Sequence, residues 1–181
     1  CAVAPRPTIA GRAELPESNG RYYFVNKKKV YAAMFGDLLS RWNTLFSSVK
    51  PEDDPAEALA AFIRTKMETS RTHPLASRLF AMEIIQGAPY LMPHLRTNMR
   101  DWVRGRAGVL QQWIDEGRMA AVDPVQLIFL IWSSTQHYAD FQVQILMVEN
   151  KAEYEQKDFD HAADFLTDVI LRGCGLEAPK K

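Results

Sequence analysis

The sequence predicts an all-α protein, and three observations support this fold class. Apolar residues recur at the three- and four-residue spacing of an amphipathic helix in every long segment. Proline and capping residues separate these segments at the positions expected for helix starts and stops. No segment shows the strict alternation of apolar and polar residues that is typical of a half-buried strand. Catalytic loops at the edge of a sheet are therefore not expected.

The first part of the chain predicts two short helices and one long one. Thr8 to Ala13 and Glu17 to Phe24 are the short candidates. Asn26 is placed to cap a long helix, whose apolar stripe continues to Leu45. Lys50 to Asp54 is a polar break that ends this region.

Two further helices follow the polar break. Asp54 and Pro55 form a favourable helix start, because an Asp side chain caps free N–H groups and proline presets the backbone of the first turn. This helix is expected to run to about His73. Pro74 starts the second helix, which Gly87 should stop.

A long helix is expected from Pro93 to about Gly117. Gly105 and Gly108 weaken its middle by about 1 kcal/mol each relative to alanine where they are exposed. We therefore expect a break or a close helix contact at these two glycines.

The next helix carries the most informative segment of the chain. Asp123 and Pro124 start it, and its pattern runs to about Val148. Within it, Phe129 to Phe141 reads FLIWSSTQHYADF, which places hydrogen-bonding side chains among aromatic ones. A buried, unpaired amide or hydroxyl costs roughly 1 to 3 kcal/mol, so these groups need partners or a ligand.

At 100° per residue, this segment has two faces. The first face carries Phe129, Trp132, Ser133, Gln136 and Asp140. The second face carries Leu130, Ser134, His137 and Phe141. We interpret one face as a candidate ligand site and the other as a candidate contact with a second subunit.

The last helix follows a charged linker and presents one broad apolar face before Gly173 ends it. This face would be exposed without a partner, so the Pro124 helix and the last helix are predicted to form a four-helix interface in a homodimer. The predicted interface residues are Ser134, His137, Phe141, Phe159, Leu166 and Ile170.

Composition places the chain among globular proteins. It has 181 residues, of which 47% are hydrophobic and 24% charged, enough for one domain or a small domain beside a larger one. The longest uncharged run, Pro124 to Ala139, is too short and too polar to span a membrane, and no signal peptide is visible. We expect no membrane partner. Cys1 and Cys174 have no CxxC spacing, which fits a reducing cytoplasm.

Charge is distributed unevenly along the chain. Residues 1 to 30 carry six Lys or Arg against Glu14 and Glu17, giving +4, so the remainder of this neutral chain carries −4. A basic front on an acidic body favours an anionic partner at the front, and nucleic acid fits better than membrane. The alternative is a chance asymmetry on a solvated surface.

Enzymatic chemistry has little support. The four histidines, at positions 73, 94, 137 and 161, are scattered, and no carboxylate pair has metal-ligand spacing. No glycine-rich phosphate loop is present. We expect no catalytic residues, no metal and no cofactor. An all-helical enzyme would require turnover that depends on Glu83 or His137.

Short motifs resemble the tetracycline-repressor (TetR) family of bacterial transcription regulators, which are dimers with an N-terminal helix-turn-helix and a helical ligand-binding body. In the front they are Ile9-Ala10, Arg12-Ala13, Tyr22-Tyr23-Phe24 and Lys27. In the body they are Ser77-Arg78-Leu79-Phe80, Met82-Glu83, Gln86-Gly87-Ala88-Pro89 and the segment from Trp132 to Phe141. The resemblance extends from about Thr8 to Arg172.

The resemblance implies a TetR-like division of the chain into a partial helix-turn-helix (1–27), a ligand-binding and dimerisation domain (28–175) and a tail (176–181). The first helix of the head is expected to lie outside this sequence. Tyr22, Tyr23 and Lys27 would contact DNA phosphates, which position a protein without reading sequence. Arg21 could contact a base edge.

The body is similar to that of the pyrimidine-utilisation repressors in this family, which implies uracil or thymine as effector. Trp132 could cover the ring, Gln136 could pair with an N–H and C=O edge, and Ser133 could bind the opposite carbonyl. The remaining candidate contacts are Phe129, Phe80, Glu83 and Gln86. Two alternatives stay open: a regulator of another small planar molecule, and a helical dimerisation module that no longer binds DNA.

Overall fold

The computed structural model describes residues 46–179, which form helices and connecting loops without a strand. The helices in this part of the chain are α1 (Pro55–Thr72), α2 (Pro74–Ile85), α3 (Met92–His94), α4 (Arg100–Asp115), α5 (Pro124–Asp140), α6 (Gln142–Val148) and α7 (Gln156–Gly173). A π-helical turn, Leu95–Met99, joins α3 to α4. The predicted all-α class is confirmed.

The predicted helix starts are confirmed for α1 and α5. The Asp54 side chain accepts a hydrogen bond from the Glu57 N–H at 2.9 Å. Asp123 Oδ1 accepts from the N–H groups of Val125 and Gln126 at 2.8 and 3.0 Å. These side chains satisfy donors that have no partner within the first helical turn.

The core lies where α1 packs against α5 and α7. Its largest fully buried side chains come from α1, α4, α5, α7 and the residue at the start of the described chain: Phe46, Leu59, Phe62, Ile63, Lys66, Met67, Leu110, Trp113, Ile128, Ile131 and Leu171. Within residues 46–179, no helix is both long and apolar enough to cross a bilayer.

An aromatic column closes one end of this core. The Phe46 and Phe62 rings stack with centroids 4.4 Å apart. Phe62 lies 6.3 Å from Trp102, and Trp102 stacks on Trp132 at 5.8 Å. The column therefore joins α1, α4 and α5 beside the segment that the sequence singled out.

The Pro124 helix ends at Asp140, so the prediction that it continues to Val148 was wrong. Phe141 leaves the helical conformation (φ −115°, ψ 26°), and α6 begins after it. Arg78 of α2 stabilises the break, because its Nε donates to the Ala139 carbonyl at 2.8 Å and its Nη2 to Gln142 Oε1 at 2.7 Å. The guanidinium thus satisfies a carbonyl that the ended helix leaves open.

The predicted break at Gly105 and Gly108 was also wrong, since α4 runs through both glycines. A Cβ placed on either glycine would meet no atom within 4 Å outside its own local helix backbone, so neither glycine marks a close helix contact. The irregularity lies earlier, at the π-helical turn Leu95–Met99. Burial of Leu110 and Trp113 holds α4 together despite the glycines.

Candidate functional site

A row of three side chains on one face of α5 forms the centre of the candidate site. Trp132, Gln136 and Asp140 are spaced by one helical turn each. At one end, Trp132 stacks on Trp102 of α4. At the other end, Asp140 Oδ1 accepts a 2.6 Å hydrogen bond from Ser77 Oγ of α2. Gln136 is half-buried between these two fixed ends.

Lys66 of α1 contributes a buried amine to the same region. Its neighbours one turn away on either side fix its position: Phe62 lies against Trp102, and Ser70 Oγ donates to the Thr135 carbonyl at 3.0 Å. Lys66 is only 2% exposed, and its charge acts on Asp140. The α1 lysine therefore lies along the stretch of α5 that carries the row.

The ionisable groups of this corner are perturbed by burial. Desolvation lowers the pKa of Lys66 to about 7, although the Asp140 charge opposes this shift. Burial also raises the pKa of Asp140, against the hydrogen bond from Ser77 and the charges of Lys66 and Arg78. Perturbed groups of this kind are common at functional sites, because a bound ligand can change their protonation.

Ser133 and Phe129 do not join this row. Ser133 is exposed, and its Oγ donates to the Leu130 carbonyl within its own helix at 3.1 Å. Both residues instead line a groove of about 640 Å³ between α5 and α7, together with Val169 and Ile170. The 100° step from Trp132 turns the Ser133 side chain towards α7, so the structure does not bring it to the row, and its contact with the opposite carbonyl stays a prediction. Phe129 contacts the site through its ring, whose centroid lies 5.8 Å from that of Trp132.

Glu83 has a structural role in the loop after α2. Its Oε1 accepts hydrogen bonds from the N–H groups of Tyr90 at 2.6 Å and Leu91 at 3.1 Å, and the side chain is buried. The loop needs this support because Gly87 and Ala88 both have positive φ, 86° and 54°. The structure therefore gives Glu83 a role in this loop, and its contact with a ligand stays a prediction.

The other two candidates are Phe80 on α2 and Gln86 at the end of that helix. Phe80 packs against a small cluster formed by Ala88 and Leu91. Gln86 is exposed at the C-terminal end of α2, and its contact with a ligand stays a prediction. Ser77, which sequence reasoning used only as a family motif, is the α2 residue that reaches the row.

Lys66 was not predicted as a site residue, because the helix was predicted from its apolar residues alone. A signal was present, since Lys66 lies between Ile63 and Met67 on the stripe that also contains Phe62. A lysine at a core position of an amphipathic pattern is unusual, because burying an unpaired charge is costly.

Three of the six predicted interface residues are largely buried within the single chain. Phe159, Leu166 and Ile170 are 5%, 9% and 5% exposed within a single chain, which leaves little surface for a second subunit. They pack into the core cluster, and α1 covers this face of α7. This part of the apolar face of α7 is therefore buried inside one chain.

The other three predicted residues lie on the outside of α5 or close to it. Ser134 is half-buried and donates to the Leu130 carbonyl at 2.7 Å, while the His137 ring stacks on Phe141 at 5.1 Å. Four large apolar side chains of α5 and α7 remain on this surface: Leu130 (51% exposed), Phe141 (53%), Phe165 (58%) and Val169 (50%). We call these four side chains the outer face.

Two further predictions concern DNA and metals. The candidate DNA-binding residues Arg21, Tyr22, Tyr23 and Lys27 lie outside the described residues. In the part of the chain that the structure describes, no group of three or more His, Cys, Asp or Glu is arranged to hold a metal ion.

Comparison with known proteins decides the family. The TetR model described as "YcdC-like protein, C-terminal region" matches residues 35–177. The chain belongs to the TetR family. It is 34% identical over 165 residues to the HTH-type transcriptional regulator RutR of Escherichia coli (strain K12), which covers 91% of this chain and 78% of that protein. The same values hold for RutR of Escherichia coli O157:H7 and of Shigella flexneri.

These relatives also settle the broad class of activity. Each is named as a transcriptional regulator, and the matched family is regulatory. The chain is therefore a TetR-family regulator similar to RutR and not an enzyme.

Proposed function

We propose that this chain is a transcriptional regulator that binds DNA as a homodimer and responds to a pyrimidine base such as uracil or thymine. The observation that carries the effector assignment is the row of Trp132, Gln136 and Asp140, held at its two ends by Trp102 and Ser77. The family membership and the RutR relatives support the regulatory role.

The chemistry of the row suits a pyrimidine. A carboxamide presents a donor and an acceptor in one plane, so Gln136 can pair with the adjacent N–H and C=O of uracil or thymine. Trp132 is already fixed by stacking on Trp102, so little side-chain freedom is lost when a base covers its ring. Such stacking contributes roughly 0.5 to 1.5 kcal/mol beyond burial of area.

The outer face supports a homodimer. Leu130, Phe141, Phe165 and Val169 are about half exposed, and exposed apolar surface of this kind is common at association sites. A two-fold interface would place α5 and α7 against the same helices of a second copy. The proposed interface is still formed by four helices, as predicted, but α7 contributes Phe165 and Val169 to it.

Helix α5 connects the two proposed activities. Its row faces the effector, and its outer face meets the second subunit, so a ligand that fits one arrangement of α5 better than another would change dimer geometry. The proposed heads, residues 1–27 with Arg21, Tyr22, Tyr23 and Lys27, must match one DNA turn of roughly 34 to 36 Å. A change in their spacing would change DNA affinity.

Calorimetric titration with uracil and thymine tests the effector assignment. We expect the wild-type chain to bind at least one of the two, and Gln136→Ala to bind roughly tenfold or more weakly, because a paired amide is lost. Gln111→Ala is the matched control, since Gln111 is exposed on α4 and bonds only Asp115 among the described residues. No binding of either base by the wild-type chain would contradict the proposal.

A further inference from the structure

A pyrimidine held by Gln136 still presents a second carbonyl that needs a donor. Uracil and thymine carry two carbonyl groups, and one carboxamide pairs with only one of them in the edge geometry described above. The structure does not bring Ser133 to the row, since its hydroxyl donates to the Leu130 carbonyl and faces the groove beside α7. An unmatched buried carbonyl costs free energy, so a selective site supplies a second donor.

Lys66 is a buried donor on the helix that packs along this stretch of α5. Contacts of Phe62 with Trp102 and of Ser70 with the Thr135 carbonyl fix α1 alongside the row, and Lys66 lies one turn from each of those residues. Its side chain is buried, and the Asp140 charge acts on its amine. Asp140 is in turn held by Ser77, so the amine and the carboxyl sit in a fixed corner beyond Gln136.

We propose that Lys66 is a second effector-specificity residue, which donates a hydrogen bond from Nζ to a carbonyl oxygen of the bound base, with Asp140 and Ser77 positioning the amine. This inference rests on the proposed pyrimidine effector and adds the residue that reads the second carbonyl. It predicts that the chain prefers bases with two carbonyl groups to bases that carry an amino group in place of one carbonyl. The amino group and Lys66 Nζ would both be hydrogen-bond donors and could not pair.

Proton binding separates this role from simple packing. Burial lowers the pKa of Lys66 to about 7, so at pH 8 most of the amine is neutral in the free protein. A carbonyl acceptor stabilises the ammonium form and raises that pKa, so uracil binding at pH 8 should take up protons. The titratable groups of the described helices that act on the Asp140 carboxyl are Lys66 of α1, Arg78 of α2 and His137 of α5.

The experiment is calorimetric titration of the full chain with uracil at pH 8, in two buffers of different ionisation enthalpy. We expect the wild-type chain to take up a fraction of a proton per uracil. Lys66→Met should bind roughly tenfold or more weakly and take up none, since a hydrogen bond to a charged group is lost. Lys157→Met is the matched control, because that side chain is 76% exposed, and it should match the wild-type chain.

Each other result has a definite meaning. Uracil binding by Lys66→Met at the wild-type affinity would overturn the role of Lys66 and leave the pyrimidine proposal standing. If Lys66→Met binds uracil more weakly but the wild-type chain takes up no proton, the hydrogen-bonding role of Lys66 is also overturned. Lys66 would then contribute only packing. No uracil binding by the wild-type chain would overturn both proposals. Should Lys66→Met fail to fold, proton uptake by the wild-type chain alone decides.

Discussion

The inner and outer faces of α5 differ in how their side chains are satisfied. On the inner face, Trp132 and Asp140 have partners on α4 and α2. On the outer face, Leu130 and Phe141 remain about half exposed. A side chain fixed by its own chain can preorganise a ligand site, whereas exposed apolar surface gains free energy by association. The difference supports the proposal that the inner face binds the effector and the outer face binds a second subunit.

The sharpest test of this comparison uses two adjacent residues. Ile131 is 1% exposed and Leu130 is 51% exposed. We expect Ile131→Ala to lower the free energy of unfolding by about 2 to 5 kcal/mol at every protein concentration, because it leaves a cavity in the core. Leu130→Ala should cost much less, and its effect should depend on concentration because it weakens the dimer. Urea unfolding at two protein concentrations measures both. An equal decrease in the free energy of unfolding for the two variants would contradict the distinction between the two faces.

The second prediction concerns the outer face alone. Val169→Glu places a charge in the proposed interface and should weaken dimerisation by roughly a hundredfold, because the carboxylate would be desolvated without a partner. Leu75→Glu is the control, since Leu75 is an exposed apolar residue of α2 outside the outer face, and it should leave the dimer intact. Sedimentation velocity distinguishes the two. A wild-type monomer at micromolar concentration would contradict the dimer itself.

The third prediction uses the pH dependence of the inner corner. Burial holds the pKa of Lys66 near 7 in the folded chain, below its ordinary value of 10.5. Between these two values the unfolded chain binds more protons, so the free energy of unfolding rises with pH, by at most about 1.4 kcal/mol per pH unit for this group. Lys66→Met should remove this rise. The free energy of unfolding of the variant minus that of the wild type should therefore fall from pH 7 to pH 9. A constant difference would show that Lys66 is charged in the folded chain.

Local chemistry explains which features the sequence could predict. Asp123 and Pro124 start α5 through contacts within one turn, so the helix start was predicted correctly. The end of α5 depends on Arg78, more than sixty positions earlier in the chain, and was missed. The spacing of apolar residues within a helix carries no information about a partner so distant in the sequence.

Faces and their neighbours follow the same rule. Angular sorting placed Trp132, Gln136 and Asp140 together, but it could not show that Ser133 turns towards α7. The apolar face of α7 was recognised, yet sequence could not tell whether its cover came from α1 or from a second subunit. Lys66 joins the candidate site only through the packing of α1 on α5, which no local pattern specifies.

A crystal structure of the full chain with uracil tests the central claim most directly. We expect the base to stack on the Trp132 ring and to pair its amide edge with Gln136. Its second carbonyl oxygen should lie within hydrogen-bonding distance of Lys66 Nζ. Uracil bound instead in the groove between α5 and α7, beside Ser133 and Val169, would contradict the claim, because the inner face would then not be the effector site.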